Sequence, residues 1–226
     1  MSFAVESLHV TSMQLIPRGR SVRFHGSPDY LSHVADTNLT FGSGDFTIEC
    51  WVKNVGGPYT FGGRIGSTSN NTIGGWAIGI NRSNGGPMGV LFIHNQSIVA
   101  YTSGYISSNV WHHIAVTRAS GTLRIFIDGA KIAEVTYNTE DSALGPFCIG
   151  SSDALPDTWI NAYLYDFRFV KGTALYTTTF QPDKLPLGNA TGTQMLTLIG
   201  TTITDLSNNH FVLTSHGAPT ITTVLP

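Results

Sequence analysis

Gly44-Asp45-Phe46-Thr47-Ile48-Glu49-Cys50-Trp51-Val52-Lys53 and Val110-Trp111-His112-His113-Ile114-Ala115-Val116-Thr117-Arg118, the latter followed by Leu123-Arg124-Ile125-Phe126-Ile127-Asp128-Gly129, decide the fold. In the first stretch Phe46, Ile48, Cys50 and Val52 share one face, and Thr47, Glu49 and Lys53 the other. In the second, Ile114 and Val116 alternate with Ala115 and Thr117. A period of two marks a half-buried strand, because successive side chains leave the pleated backbone on opposite sides. Asp128-Gly129 stands between residues 123–127 and 130–135. A tight primed turn needs positive φ at both central positions, so this pair predicts a hairpin.

Working outward, strands are expected at 7–16, 21–25, 29–33, 46–54, 60–66, 76–81, 88–94, 97–103, 110–118, 122–128, 130–136, 147–151, 159–170, 195–199, 210–214 and 220–225. Gly56-Gly57-Pro58, Gly74-Gly75, Asn84-Gly85-Gly86-Pro87, Ser120-Gly121 and Gly145-Pro146 punctuate them. No segment carries a 3.6-residue stripe, and the one helical turn expected lies near 173–176. The 159–170 strand breaks its own alternation. Ile160, Ala162 and Leu164 share one parity and Phe167 and Phe169 take the other. One extra residue near Tyr165-Asp166 restores the register, which makes Asp166 a structural carboxylate in a β-bulge. Beyond residue 182 the chain turns rich in Pro, Gly and Thr, but the remainder is too short for a second core. Residues 190–226 are therefore expected to return as terminal strands, making 1–226 one antiparallel two-sheet β-sandwich.

Composition agrees with an all-β chain. The 226 residues include 25 Gly and 10 Pro, an interruption rate that few helices survive. Net charge is −2 with no basic run, against the clustered Lys and Arg that nucleic-acid binding requires. No apolar run is long enough to span a membrane, and no Sec-type signal is visible at the N-terminus. Cys50 and Cys148 each sit in an apolar strand pattern; buried thiols and a disulfide between their strands are both compatible with it.

These phrases together resemble laminin G-like, concanavalin A-like jelly-roll domains. Ser21-Val22-Arg23-Phe24-His25-Gly26-Ser27-Pro28-Asp29-Tyr30-Leu31 is similar to their opening F-D-G-x-x-D-Y-L/V, and residues 44–53 to F-T-I-E-x-W-V. Trp111 to Arg118 with the hairpin to Gly129 resembles W-H-H-V-A-V-T-R…L-x-x-F-V-D-G. Tyr163-Leu164-Tyr165-Asp166-Phe167-Arg168-Phe169 resembles G-x-I-D-D-F-R-I. Val170-Lys171-Gly172-Thr173-Ala174-Leu175-Tyr176-Thr177-Thr178-Thr179-Phe180-Gln181-Pro182 is similar to the version found in virion proteins of tailed bacteriophages. Asp205-Leu206-Ser207-Asn208-Asn209 to Gly217-Ala218-Pro219 resembles a D-x-S-x-N…G-x-P element that many members carry before the first strand. Here it comes last, as in a circular permutation.

The fold hosts lectins, hydrolases and structural modules, so activity must be argued from residues. Glycosidases need two carboxylates flanking the sugar bond. The four Glu residues, Glu6, Glu49, Glu134 and Glu140, have no acid two positions away, so no catalytic residue is expected. His112 and His113 point to opposite faces of one strand and cannot chelate a single ion. Calcium is the one cofactor left open, with Asp153 and Asp157 as candidate ligands and Asp36 with Asn38 as a second, weaker set. A sugar site is expected in the middle strands, on Tyr59, Arg64, Trp76, Asn81, Arg82, Asn95, Tyr101 and Tyr105, with His94 and Gln96 beside them. Trp51 and Trp111 read as core.

The function expected from the phage-like phrase is a non-enzymatic virion surface protein, a capsid decoration or a tail fibre or tip module. It would be made in the host cytoplasm and dock on other virion proteins, as a homo-oligomer or within a large assembly. Host surface glycans are the second partner class; nucleic acid and membrane are not partners. The alternative is an extracellular carbohydrate-binding lectin or adhesion module, with or without calcium, and a polysaccharide hydrolase ranks third.

Overall fold

The period-two stretches form antiparallel strands in a computed structural model, which describes residues 19–55, 64–68, 75–80, 89–104, 106–141, 145–151 and 158–226. The front sheet runs, in spatial order, β10 (Ala130–Thr136), β9 (Thr122–Ile127), β8 (Trp111–Ala119), β3 (Phe46–Asn54), β12 (Asn161–Lys171), β1 (Ser21–His25) and β15 (Thr220–Thr222), with β13 (Thr193–Thr197) also paired to β12. The back sheet runs β14 (Thr214–His216), β2 (Tyr30–His33), β11 (Phe147–Ile149), β4 (Arg64–Thr68), β5 (Trp76–Ile80), β6 (Val90–His94) and β7 (Ser97–Tyr101). This is the expected all-β sandwich of two antiparallel sheets. The strand expected at 7–16, and residues 60–63 of the next but three, lie outside the described residues.

Between the sheets the even positions of β3 and β8 meet Leu31, Trp76, Ile78, Phe92, Phe147 and Ile149 of the back sheet. Asp128 and Gly129 have φ of 51° and 77°, the primed geometry that lets β9 and β10 keep their right-handed twist. β12 pairs 162–165 with 54–51 and 168–171 with 49–46. The extra residue is the expected bulge: Asp166, at φ 60°, switches parity so that Leu164, Phe167 and Phe169 all reach the core. Helical structure among the described residues is confined to a 3-10 turn at Thr37–Leu39, where the Asp36 carboxylate accepts from the Asn38 N–H at 2.8 Å. Asp36 is thus a cap, and residues 173–176 form no helix.

That last segment does something else. Residues 172–188 lie as a strap across the outer side of the front sheet. Thr47 Oγ1 donates to the Thr173 carbonyl and accepts from the Leu175 N–H, while Thr117 Oγ1 donates to the Tyr176 carbonyl. Tyr176 stacks on Phe180 with ring centres 3.6 Å apart, and Phe180 packs edge-on against Phe126. Trp51 Nε1 donates to the Asp183 carbonyl. Trp51 and Tyr165 therefore belong to a separate outer cluster with Leu196 and Ile199, and Trp111 is only partly buried against it. Both tryptophans support the outer layer rather than the core between the sheets.

The C-terminal segment is fastened by two aspartates. Asp205 accepts from the Leu196, Ser207 and Phe211 N–H groups and from Ser207 Oγ. Asp29 accepts from the His25 N–H and, 189 positions away, from the Ala218 N–H. β14 and β15 are thereby set beside β2 and β1. Cys50 and Cys148 are buried free thiols. Cys50 lies in the core of the front sheet, whereas Cys148, between core-facing Phe147 and Ile149 of the back sheet, points the other way.

Candidate functional site

Among the described residues Glu49, Arg168, His113 and Tyr176 form an ionisable cluster, and the strap closes it. Glu49 Oε1 accepts from Arg168 Nε at 2.8 Å and Nη2 at 2.5 Å; Oε2 accepts from Tyr176 OH at 3.0 Å and lies 3.2 Å from His113 Nε2. Glu49 is 1% exposed. Burial pushes its carboxyl up, but the His113 hydrogen bond and the Arg168 charge outweigh burial and hold it below the usual range. Nearby Asp166 goes the other way: burial dominates, the Leu187 N–H draws its carboxyl down, the Glu49 charge lifts it, and it titrates at about 7. A sugar cannot reach either acid, so the cluster binds the strap and supplies no acid–base pair for glycoside cleavage.

An open concavity lies at one edge of the back sheet. On β2, Leu31 enters the core while Tyr30 and Ser32 point outward; on β14, Thr214 and His216 sit opposite Ser32 and Tyr30. Cross-strand partners stand close enough for rings to meet. The His216 imidazole lies flat on Tyr30, centres 4.0 Å apart and planes 5° apart, and its Nε2 is 2.8 Å from Ser32 Oγ. His33 Nδ1–H donates to the Val212 carbonyl at 2.9 Å, and the ring packs on Phe211. Tyr30, Ser32, His33, Val212, Thr214 and His216, with Val34 and Pro146, line a groove of about 510 Å³. Val34 and Val212, 73% and 77% exposed, form an apolar rim. Flat ring surface beside hydroxyls and an imidazole can pack the C–H face of a sugar and exchange hydrogen bonds with its hydroxyls.

Of the residues expected from the sequence, Trp76, Asn95 and Tyr101 do not line this groove. Trp76 is fully buried, wedged between Phe41, Phe147 and Phe169 with Nε1 donating to the Leu39 carbonyl, so no ring face is available to a ligand. His94 is buried against Tyr137. Asn95 and Gln96, at φ 50° and 63°, form the exposed β6–β7 turn. Tyr101 is 53% exposed on β7. That strand lies five strands from β2, roughly 24 Å at ordinary spacing. Arg64 opens β4 opposite Gly79. Tyr59, Asn81, Arg82, Tyr105, Asp153 and Asp157 lie outside the described residues. Among the described residues no group of three His, Cys, Asp or Glu side chains could hold a metal ion. The local signal for the groove was modest: Tyr30-x-Ser32 and Thr214-x-His216 each put a ring and a hydroxyl on one strand face.

Solved structures of related shape show the same sandwich. A candidate carbohydrate-binding protein from Bacteroides ovatus superposes with a TM-score of 0.68 at 18% identity, covering 92% of this chain. The chain spans only 60% of that protein's length. A heptameric SAP-like pentraxin from Limulus polyphemus superposes with a TM-score of 0.62 at 15% identity, over 91% of this chain and 95% of the pentraxin. No curated protein matches the sequence. Residues 25–175, more than half of the chain, match the model of one family, and the chain belongs to the Concanavalin A-like lectin/glucanases superfamily.

Proposed function

We propose that the chain is a non-enzymatic carbohydrate-binding module whose ligand occupies the groove between β2 and β14. The observation that carries this reading is the Tyr30–His216 stack standing beside the Ser32 and Thr214 hydroxyls on an open concave surface. The sandwich shared with the Bacteroides ovatus protein supports it, and burial of Glu49 and Asp166 weighs against an enzyme. No cofactor enters the reading. Glycan-array screening followed by calorimetry on the strongest neutral oligosaccharide is the test. Tyr30→Ala and His216→Ala should each weaken binding about tenfold, on the order of 1.4 kcal/mol, while leaving the unfolding midpoint near that of the parent. A blank array, or unchanged affinity in both variants, overturns the assignment.

A second element rests on sequence alone. The resemblance of residues 170–182 to phage virion proteins supports display of this module on a tailed-phage particle, in the capsid or the tail. Mass spectrometry of purified virions tests it, and absence of the chain from intact particles would sink it.

A further inference from the structure

The outer side of the front sheet carries a row assembled by strand register. Arg23 on β1 pairs with Tyr163 on β12, Tyr163 with Lys53 on β3, and Lys53 with Trp111 on β8. Their chain neighbours Phe24, Leu164 and Val52 enter the core, so the row faces outward. Each of the four side chains is half-buried, with its remainder at the surface. The Arg23 guanidinium stands 5.1 Å from the Tyr163 ring centre and the Lys53 ammonium 5.8 Å from it. The Trp111 ring centre lies 6.3 Å from that of Tyr163.

Arg23 is held in place: Nη2 donates to Asn161 Oδ1 at 2.6 Å and Nη1 to the Ala162 carbonyl at 3.4 Å. Among the described residues neither cation meets a carboxylate; the ion pairs belong to other side chains. Asp183, which lies near Tyr165 on this side, is engaged by the Leu185 N–H. Two cations over one aromatic ring, with no counter-charge among the described residues, stand out on a chain with net charge −2 and only 12% charged residues. The ring's quadrupole attracts each cation but does not neutralise either. An anion reaching both would, with Arg23 offering a fork of donors and Lys53 a point charge.

We propose that this row is a second binding site and that its ligand is an acidic saccharide, a pyranose bearing carboxylate or sulfate. The sugar ring packs on the Trp111–Tyr163 edge while the anion sits between Arg23 and Lys53. The site goes beyond the β2–β14 groove and rests on the reading that the chain binds saccharides. Two cations are too few to hold a polynucleotide, whose affinity comes from many phosphate contacts.

Calorimetry at low salt distinguishes these possibilities with galacturonate oligomers, heparin oligosaccharides, neutral oligosaccharides of equal length and a single-stranded oligonucleotide. The carboxylate or sulfate series should bind and weaken with added salt. The double variant Arg23→Gln/Lys53→Gln should lose at least tenfold on that series and nothing on neutral sugars. His216→Ala should leave acidic binding unchanged. No binding of either acidic series, equal affinity in the double variant, or tighter binding of the oligonucleotide overturns the proposal. Absence of neutral-sugar binding in the parent protein, with acidic binding present there and lost in the double variant, would sink only the groove reading.

Discussion

Replacing Asp166 by Asn should make the protein progressively more stable than its parent as pH rises. The carboxyl lies at φ 60° in the β12 bulge, is fully buried, and titrates at about 7 against 3.8 for an exposed aspartate. One oxygen accepts from the Leu187 N–H, and Oδ1 has no hydrogen-bond partner among the described residues. Because the folded pKa is raised, the folded state holds its proton longer than the unfolded chain. Stability contributed by this group is therefore fully present below about 4 and is lost as pH climbs to about 7. Converting the gap at 1.36 kcal/mol per pH unit gives a total loss of roughly 4 kcal/mol, of which about 3 falls between pH 5 and pH 9. Asparagine keeps an acceptor for Leu187, tolerates left-handed backbone and cannot ionise. Urea denaturation of both proteins at pH 5 and pH 9, followed by tryptophan fluorescence, measures the difference. Glu49, held below the usual carboxylate range, stays ionised across that window and cancels. Parallel stabilities at the two pH values would show that the buried carboxyl is not protonated near neutrality, and the argument would fail.

Further perturbations probe the strap and the thiols. At Gly129, φ is 77° and an added Cβ would lie 1.8 Å from the Phe180 carbonyl oxygen, which leaves no room for alanine. Gly129→Ala should cost about 2–3 kcal/mol. It should also raise hydrogen exchange through residues 173–188, and unchanged protection there would refute the docking role of the turn. Burial drives the Cys50 thiol well above its ordinary value, and Cys148 is equally hidden. A chromogenic disulfide reagent should find no thiol in the native protein and both after denaturation; rapid native labelling of either would contradict their placement.

The elements that could be read along the chain are those whose stability is settled locally. β3 and the β8–β10 meander carry their own alternation and their own turn, so the residues that define them are neighbours in sequence. The bulge at Asp166 was legible for the same reason, since a parity switch is visible within one strand. β14 was placed at 210–214 but forms at Thr214–His216. The cause is remote: the Phe211 N–H is taken by Asp205 and cannot join a ladder, while His216 pairs with Tyr30. Trp76 shows how residue type misleads. It shares parity with Ile78 and Ile80, which is a core pattern, yet a tryptophan among amides suggests a sugar platform. The groove itself depends on a register between positions 184 apart, Ser32 and His216, that no local window contains.

The strap changes what the family phrases mean. Glu49 in F-T-I-E and Arg168 in D-F-R-F look like surface polar residues on the outer parity of their strands, where an acid or base could serve a ligand. They are polar because residues 172–188 arrive later in the chain and need partners: Arg168 Nη1 donates to the Gly188 carbonyl, and Glu49 receives the Tyr176 hydroxyl. Gly172, Tyr176 and Phe180 of the phage-like phrase are likewise the turn and the anchors of that cover. The residues most recognisable in the sequence are thus spent on holding layers together. Surface left over for recognition must lie where the strap does not reach, and both sites proposed above, the β2–β14 edge and the Arg23–Tyr163–Lys53–Trp111 row, meet that condition. A module built this way can change its ligand by changing a few outward positions on β1, β2, β3 and β14 without disturbing the packed phrases, because those positions contribute little to either core.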